Sequence, residues 1–100
     1  MNTAKIIQSA SLAESFLKGF ANANRLRILC SIMFEKKTVS EIIKETELSQ
    51  SSTSQHLKKM KDEGFVNFEK QGKVKYYFIS DSNVLKMMEF LYNTFCKEKS

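Results

Sequence analysis

The chain contains no proline and only three glycines in 100 residues, so few positions force a helix to stop. Gly64 precedes, and Gly72 interrupts, a region that is rich in aromatic and β-branched residues. Its two halves, residues 65–71 and 74–79, flank Gln71-Gly72-Lys73, a pattern typical of a β-hairpin. The sequence therefore predicts a mainly α protein with one small hairpin.

Apolar residues elsewhere recur at helical spacing, which predicts four helices before the hairpin and one after it, in the order α-α-α-α-β-β-α. The predicted helices cover about residues 9–21, then from the break at 22–24 to about 34, 39–47, 50–63 and 82–96. We find no repeat, linker or low-complexity tract, so residues 1–100 are expected to form a single domain.

The third and fourth helices carry clear start signals. Thr38 is followed three residues later by Glu41, the spacing of a capping box, and Ser49 precedes the fourth helix as an N-cap. Gly64 is expected to end that helix. Two short helices joined by a tight turn, then a hairpin, are typical of a winged helix-turn-helix, whose second helix enters the DNA major groove.

The fourth helix has the two faces that this role requires. Thr53, Leu57 and Met60 share one face, which is expected to pack inward. Serine and glutamine can hydrogen-bond to base edges, and lysine neutralises phosphate. The predicted DNA-binding residues are Gln50, Ser51, Ser52, Ser54, Gln55, Lys58 and Lys59 on this helix, with Lys70, Lys73 and Lys75 on the wing.

The net charge of +5 agrees with an anionic partner, although a surplus of solvated lysines gives the same value. The last helix is apolar on more than one face, with Val84, Met88, Leu91 and Phe95 on one stripe and further apolar residues beside it. A monomer of this size cannot bury all of that surface. We therefore expect a homodimer built on helices 9–21 and 82–96, presenting two fourth helices to a palindromic double-stranded DNA operator.

Residues 21–96 resemble the ArsR/SmtB family of winged-helix repressors, most specifically over residues 48–60 and Gly64-Phe65-Val66. The resemblance implies a homodimer that leaves DNA when an inducer binds. Metal-sensing members carry a Cys-x-Cys motif before the recognition helix, or Asp and His ligands on the last helix. Residues 39–47 contain no cysteine and residues 82–96 no histidine, so no metal site and no cofactor is predicted.

The only cysteines are Cys30, on the second helix, and Cys96, near the end of the last. This arrangement is similar to the persulfide-sensing branch of the family. The resemblance assigns Cys30 and Cys96 a redox-sensing role, in which reactive sulfur species or oxidants bridge them and weaken DNA binding. Periodicity places Cys30 on one face of the second helix with Leu26, Leu29 and Met33. From this pattern alone, a small core residue is favoured over a sensor.

Three other functions stay open on the sequence. The same cysteines, with Asp, Glu or His56, would serve a metal- or metalloid-responsive repressor. A small redox enzyme is disfavoured, because the chain has no Cys-x-x-Cys motif and a single histidine. A protein-interaction module would use the same shape without DNA. The sequence shows neither a signal peptide nor a run long enough to span a membrane, so we expect a cytoplasmic protein without enzymatic activity.

Overall fold

The computed structural model describes residues 2–96. Its elements are α1 (Thr3–Gln8), α2 (Ala10–Lys18), α3 (Ala23–Ile32), α4 (Val39–Thr46), α5 (Gln50–Asp62), β1 (Val66–Gln71), β2 (Val74–Ile79), α6 (Ser82–Leu91) and a π-helical turn (Tyr92–Cys96). The predicted order is thus observed, with one additional short helix at the start. Residues 1 and 97–100 of the predicted domain lie outside the described residues.

Side-chain caps explain where most helices begin. Asn22 accepts hydrogen bonds from the backbone N–H groups of Asn24 and Arg25 at the start of α3, and Asp81 caps α6 in the same way. At α4 the capping box is complete, because Thr38 accepts from the Glu41 N–H and Glu41 accepts from the Thr38 N–H. These caps satisfy N–H groups that have no partner within the helix.

The hairpin pairs β1 and β2 antiparallel from Val66–Ile79 to Gln71–Val74. Gly72 has φ +65° and is the first residue of the two-residue turn, a position that glycine favours in hairpins of type II′. Lys37 adds a single bridge to β2, with its backbone exchanging two hydrogen bonds with Tyr77. The wing is therefore anchored to the segment that precedes α4.

The core lies where α3, α4, α5, the hairpin and α6 meet. Each of these elements contributes residues with almost no exposed surface: Ile28, Leu29, Ile32, Ile42, Leu57, Met60, Val66, Val84 and Met88. The hydrophobic core is thus closed around α5, whereas α1 and α2 add no buried residue to it.

The structure corrects the predicted inward face of α3. Sequence periodicity placed Leu26, Cys30 and Met33 with Leu29 on one stripe, whereas the residues that enter the core are Ile28, Leu29 and Ile32. Leu26 and Met33 are half-buried, and Cys30 is exposed. The stripe of Leu26, Cys30 and Met33 therefore lies beside the core-facing side of α3 and faces the C-terminal end of α6.

Candidate nucleic-acid interface and cysteine pair

A tight turn sets α5 against α4. Helix α4 is capped at its C-terminal end by Glu47, which has φ +61° in the left-handed region and reverses the chain direction. Two residues later, Ser49 caps α5, because its Oγ accepts a hydrogen bond of 3.1 Å from the Ser52 N–H. At the other end, Gly64 with φ +84° leads the chain out of α5 into the hairpin.

Helix α5 separates its buried and exposed faces as the sequence predicted. Thr53, Leu57 and Met60 are at most 1% exposed. All of the predicted DNA-binding residues on this helix are exposed except Ser52, which is half-buried beside the cap: Gln50, Ser51, Ser54, Gln55, Lys58 and Lys59. The outer surface of α5 is therefore a hydrogen-bonding and cationic strip with no acidic residue between positions 50 and 61.

The wing lysines Lys70, Lys73 and Lys75 are all exposed. Lys70 and Lys75 are paired directly across the hairpin, and Lys73 lies in its turn. Like charges placed opposite each other on two strands destabilise the pairing by a fraction of a kcal/mol. A bound anion between them would relieve this repulsion, so the hairpin suits a phosphate backbone.

A further lysine, which the sequence interpretation missed, joins the two cationic regions. The Nζ of Lys61, at the end of α5, lies 5.5 Å from the ring centre of Phe68 in β1. The Nζ of Lys75 lies 4.6 Å from the same ring. Attraction between cations and an aromatic face holds both lysines at the junction of helix and wing. No short-range pattern marks Lys61, because its partner is seven residues away on another element.

An ion pair between a buried arginine and an exposed glutamate lies at the far end of α5. The Nη1 of Arg25, whose side chain is 7% exposed, donates to Oε1 of Glu63 at 2.7 Å and to the Gly19 carbonyl at 3.4 Å. Because Arg25 belongs to α3, this pair ties α3 to the residue after α5 and to the end of the N-terminal helices. Removing Glu63 would leave the buried Arg25 guanidinium without its partner carboxylate, so the pair helps to position the end of α5.

The two cysteines lie on one concave surface, here called the cysteine groove. It encloses about 460 Å³ between α3 and the end of α6. Its lining residues are Leu26, Cys30, Met33, Phe34, Met88, Leu91, Tyr92, Phe95 and Cys96. The chain thus brings together two thiols that are separated by 65 residues in sequence.

The π-helical turn at residues 92–96 explains how Cys96 arrives there. In a continued α-helix, Cys96 would lie roughly 120° around the axis from the buried Val84, and Phe95 only about 20° from it. The wider π turn rotates less per residue. Cys96 therefore lines the groove, whereas Phe95, expected on the buried stripe, is 77% exposed.

The groove perturbs the Cys30 thiol. Partial burial of its thiol, although the residue is exposed overall, raises the pKa of Cys30, and the nearby Cys96 raises it further, because two thiolates would repel each other. Among residues 2–96, no group of three or more His, Cys, Asp and Glu side chains is placed to hold a metal ion. The chemistry offered by this groove is that of a thiol pair.

Within the same described range, no helix is both long and apolar enough to cross a membrane. Two short helices joined by a tight turn, a basic hairpin and the polar outer strip of α5 define a DNA-binding protein of the winged helix-turn-helix class.

Comparison with known proteins specifies the family. Residues 22–67 match the family model "Bacterial regulatory protein, arsR family". The transcriptional activator HlyU of Vibrio cholerae is 35% identical over 97 residues, which cover 97% of this chain and 90% of HlyU. The chain belongs to the arsR family of bacterial transcriptional regulators, a non-enzymatic DNA-binding family.

Solved structures agree with the fold. HlyU from Vibrio vulnificus superposes with a TM-score of 0.89 at 33% identity, covering 96% of this chain and all of that one. Reduced HlyU from Vibrio cholerae gives 0.85 at 34% identity, covering 93% and 98%. The predicted winged helix-turn-helix is thereby confirmed.

Proposed function

We propose that this regulator is a cytoplasmic homodimeric repressor whose affinity for a palindromic DNA operator is switched by a reaction that joins Cys30 to Cys96. The observation that carries the proposal is that both cysteines line one groove, although they come from α3 and from the end of the chain. The inducer is a reactive sulfur species such as a persulfide, or another oxidant of thiols.

DNA contact is assigned to the exposed residues of α5 and the wing. Gln50, Ser51, Ser54 and Gln55 occupy the N-terminal two turns of α5, the part that a helix-turn-helix directs toward base edges. Lys58, Lys59 and the wing lysines would neutralise phosphates, and half-buried Ser52 would contribute at the cap. Each neutralised phosphate adds about 0.9 to the slope of log affinity against log salt.

Dimerisation is assigned to α2 and α6. Leu12 is 77% exposed and Phe90 61% exposed, and both border a shallow apolar groove between these two helices. Isolated apolar residues are common on surfaces, but a contiguous set of this kind marks an interface. A two-fold dimer through this face would set two α5 helices about one DNA turn apart, matching a palindromic site.

Bridging would change that dimer because it restrains the end of α6 against α3. A plain disulfide requires the two Cα atoms to lie about 4.4–6.8 Å apart, and a longer sulfur chain relaxes this limit. Since α6 belongs to the proposed interface, pulling its end toward α3 would alter the separation of the two α5 helices. A small shift in that separation is enough to mismatch the half-sites.

The reaction has a definite pH dependence. Only the thiolate attacks sulfur, and the pKa of Cys30 is raised by burial and by Cys96. The rate of bridging is therefore expected to increase as pH rises through the raised pKa of Cys30. Cys96→Ser removes the contribution of the second thiol, so alkylation of Cys30 in this variant is expected to reach its half-maximal rate at a lower pH than in wild type.

The test is operator affinity of the reduced protein against the same protein treated with an organic persulfide. We expect at least a tenfold loss of affinity after treatment, corresponding to about 1.4 kcal/mol. Cys30→Ser and Cys96→Ser are each expected to bind DNA like reduced wild type and to ignore the treatment. Intact mass of the treated protein gives the number of sulfur atoms in the bridge, distinguishing a disulfide from a trisulfide or tetrasulfide.

Equal affinity of reduced and treated wild-type protein would overturn the switch. If instead the purified protein retained a metal stoichiometrically, lost it in both cysteine variants, and released DNA only with that metal, the inducer would be the metal. Because the Vibrio cholerae relative is called an activator, a promoter-reporter assay with and without the protein measures the direction of regulation separately.

A further inference from the structure

Among residues 2–96, the lining of the cysteine groove carries no charged side chain: besides the two thiols it consists of leucine, methionine, phenylalanine and one tyrosine. Its volume of about 460 Å³ lies within the range of about 300–1,000 Å³ that is usual for small-molecule sites. The groove is therefore large enough to receive more than the two sulfur atoms of a bridge.

The rim of the groove is apolar on the side of Phe34 and Phe95. Phe34 is 73% exposed and packs edge-to-face against Tyr92, with ring centres 5.3 Å apart. Phe95 is exposed on the same side. Partial burial of its thiol raises the pKa of Cys30 in this groove, because an apolar lining favours the uncharged form.

We infer that the cysteine groove selects persulfides whose organic group is uncharged and apolar, and discriminates against persulfides of charged, hydrophilic thiols. A charged group placed among these side chains would lose water without gaining a partner, which is unfavourable. An alkyl or aryl group would instead be transferred from water to the groove, which is favourable in proportion to the apolar area buried. The inference rests on the proposed thiol switch and names its substrate class.

The reaction needs no further oxidant. Cys30 releases its thiol proton to solvent, and its sulfur attacks the terminal sulfur of R–S–SH. An S–S bond forms, the original S–S bond breaks, and the organic thiol R–SH leaves after protonation. The deprotonated Cys96 sulfur then attacks Sγ of Cys30, forming the disulfide and displacing hydrosulfide, which leaves as H₂S. The two protein thiols are oxidised by two electrons, and the transferred sulfur is reduced.

The test compares rates of bridging with benzyl persulfide and with glutathione persulfide, each divided by its rate with a solvent-exposed cysteine peptide. With wild-type protein we expect a normalised preference for the benzyl compound of at least roughly tenfold, the value that burying a few CH₂ groups supports. Equal normalised rates would overturn the selection.

Two variants at the rim sharpen this test. Phe34→Lys adds a charge beside the groove at an exposed position and is expected to remove most of the preference. Phe34→Leu removes the ring but keeps the rim apolar, so the preference is expected to persist. If both variants shift the preference equally, or neither does, polarity of the groove does not set the selection.

Binding without reaction separates this inference from the switch. In the double variant Cys30→Ser, Cys96→Ser, benzyl methyl sulfide is expected to shift the methyl NMR signals of Met33 and Met88, whereas a carboxylate-bearing thioether is not. If the thioether binds but no persulfide changes the DNA affinity of the wild-type protein, the groove is a binding site for apolar ligands and the thiol switch is wrong. If persulfides release DNA normally but the thioether does not bind, the selection by the groove is wrong and the thiol switch stands. This is the result expected if a second copy of the chain covers the groove.

Discussion

The middle of the chain and its two ends bury their apolar residues very differently. In α4, α5 and β1, the inward residues Ile42, Leu57 and Val66 are at most 1% exposed. In the N-terminal helices and at the end of the chain, Leu12 and Phe95 are each 77% exposed. The middle of the chain buries its apolar residues within its own core and presents polar side chains to solvent, as contact with DNA requires. The ends are left apolar, which fits a second copy at one face and a small ligand at another.

We predict that a charge at the N-terminal end will break the proposed dimer without unfolding the chain. Leu12→Glu places a carboxylate in the mostly apolar face between α2 and α6, where the proposed interface would remove it from water. We expect monomers in sedimentation, and at least about a 100-fold loss of operator affinity because the second half-site is no longer linked. The measurements are sedimentation velocity and a binding titration at fixed salt.

The matched control is Ser11→Glu, which adds the same charge to an exposed neighbouring position outside that face. It is expected to remain dimeric and to bind the operator. Dimers of Leu12→Glu at the wild-type association constant would show that another surface forms the interface.

Within the middle region, base recognition should depend on Gln55. Gln55→Ala removes a side chain whose amide can pair with a base edge, and we expect discrimination between operator and unrelated DNA to fall by about 1–3 kcal/mol. Competition binding against a mismatched duplex checks this. Unchanged discrimination would place Gln55 outside the interface.

Lys58→Ala distinguishes phosphate contact from base contact on the same helix face. It is expected to weaken binding to all sequences alike and to lower the slope of log affinity against log salt by about 1. A change in sequence preference, with the slope unaltered, would contradict the phosphate role.

The contact between the two regions can be loosened at Gly19. A Cβ at this position would overlap the ring of Phe65, which packs against the rings of Phe16 and Phe20. Gly19→Ala is therefore expected to displace α2 and to destabilise the fold by about 1–3 kcal/mol. Chemical denaturation measures this loss, and sedimentation shows the accompanying weakening of the dimer.

Gly64→Ala serves as the contrast, because its added Cβ meets no atom but its φ of +84° is strained. We expect a loss of about 1–2 kcal/mol with the dimer constant of the folded protein unchanged. Equal weakening of the dimer by both variants would show that general instability, not displacement of α2, is responsible.

The smallest effect concerns a hydroxyl inside the middle region. The Oγ1 of Thr53 is fully buried and, among the described residues, has no hydrogen-bond partner. Thr53→Val keeps the shape and removes the unsatisfied group, so we expect about 1 kcal/mol of added stability. In the control Thr46→Val, a hydroxyl that donates to the Ile42 carbonyl at 2.7 Å is lost, and stability is expected to fall. Thermal unfolding of both variants distinguishes the cases.

Local signals predicted the middle of the fold well. The pair Thr38 and Glu41, the cap Ser49 and the stop at Gly64 are all used as the sequence indicated. Each of these depends on residues within a few positions of one another, so short-range chemistry decides it. The exposed predicted residues of α5 follow from the same local periodicity.

Features that depend on distant contacts were not predictable in this way. The π turn at the chain end and the shifted inward face of α3 each reflect packing between separate elements. The Arg25–Glu63 pair spans 38 residues. The meeting of Cys30 and Cys96 was expected only from the family resemblance, because no spacing rule relates positions so far apart.

The central claim is that two α5 helices of one dimer read DNA with their outer faces. Selection of bound duplexes from a random pool by the reduced protein tests it most directly. We expect enrichment of a two-fold symmetric sequence whose half-sites lie about 10 base pairs apart, with Gln55→Ala losing preference at one symmetric pair of positions. Recovery of unrelated sequences, with binding insensitive to salt, would contradict it.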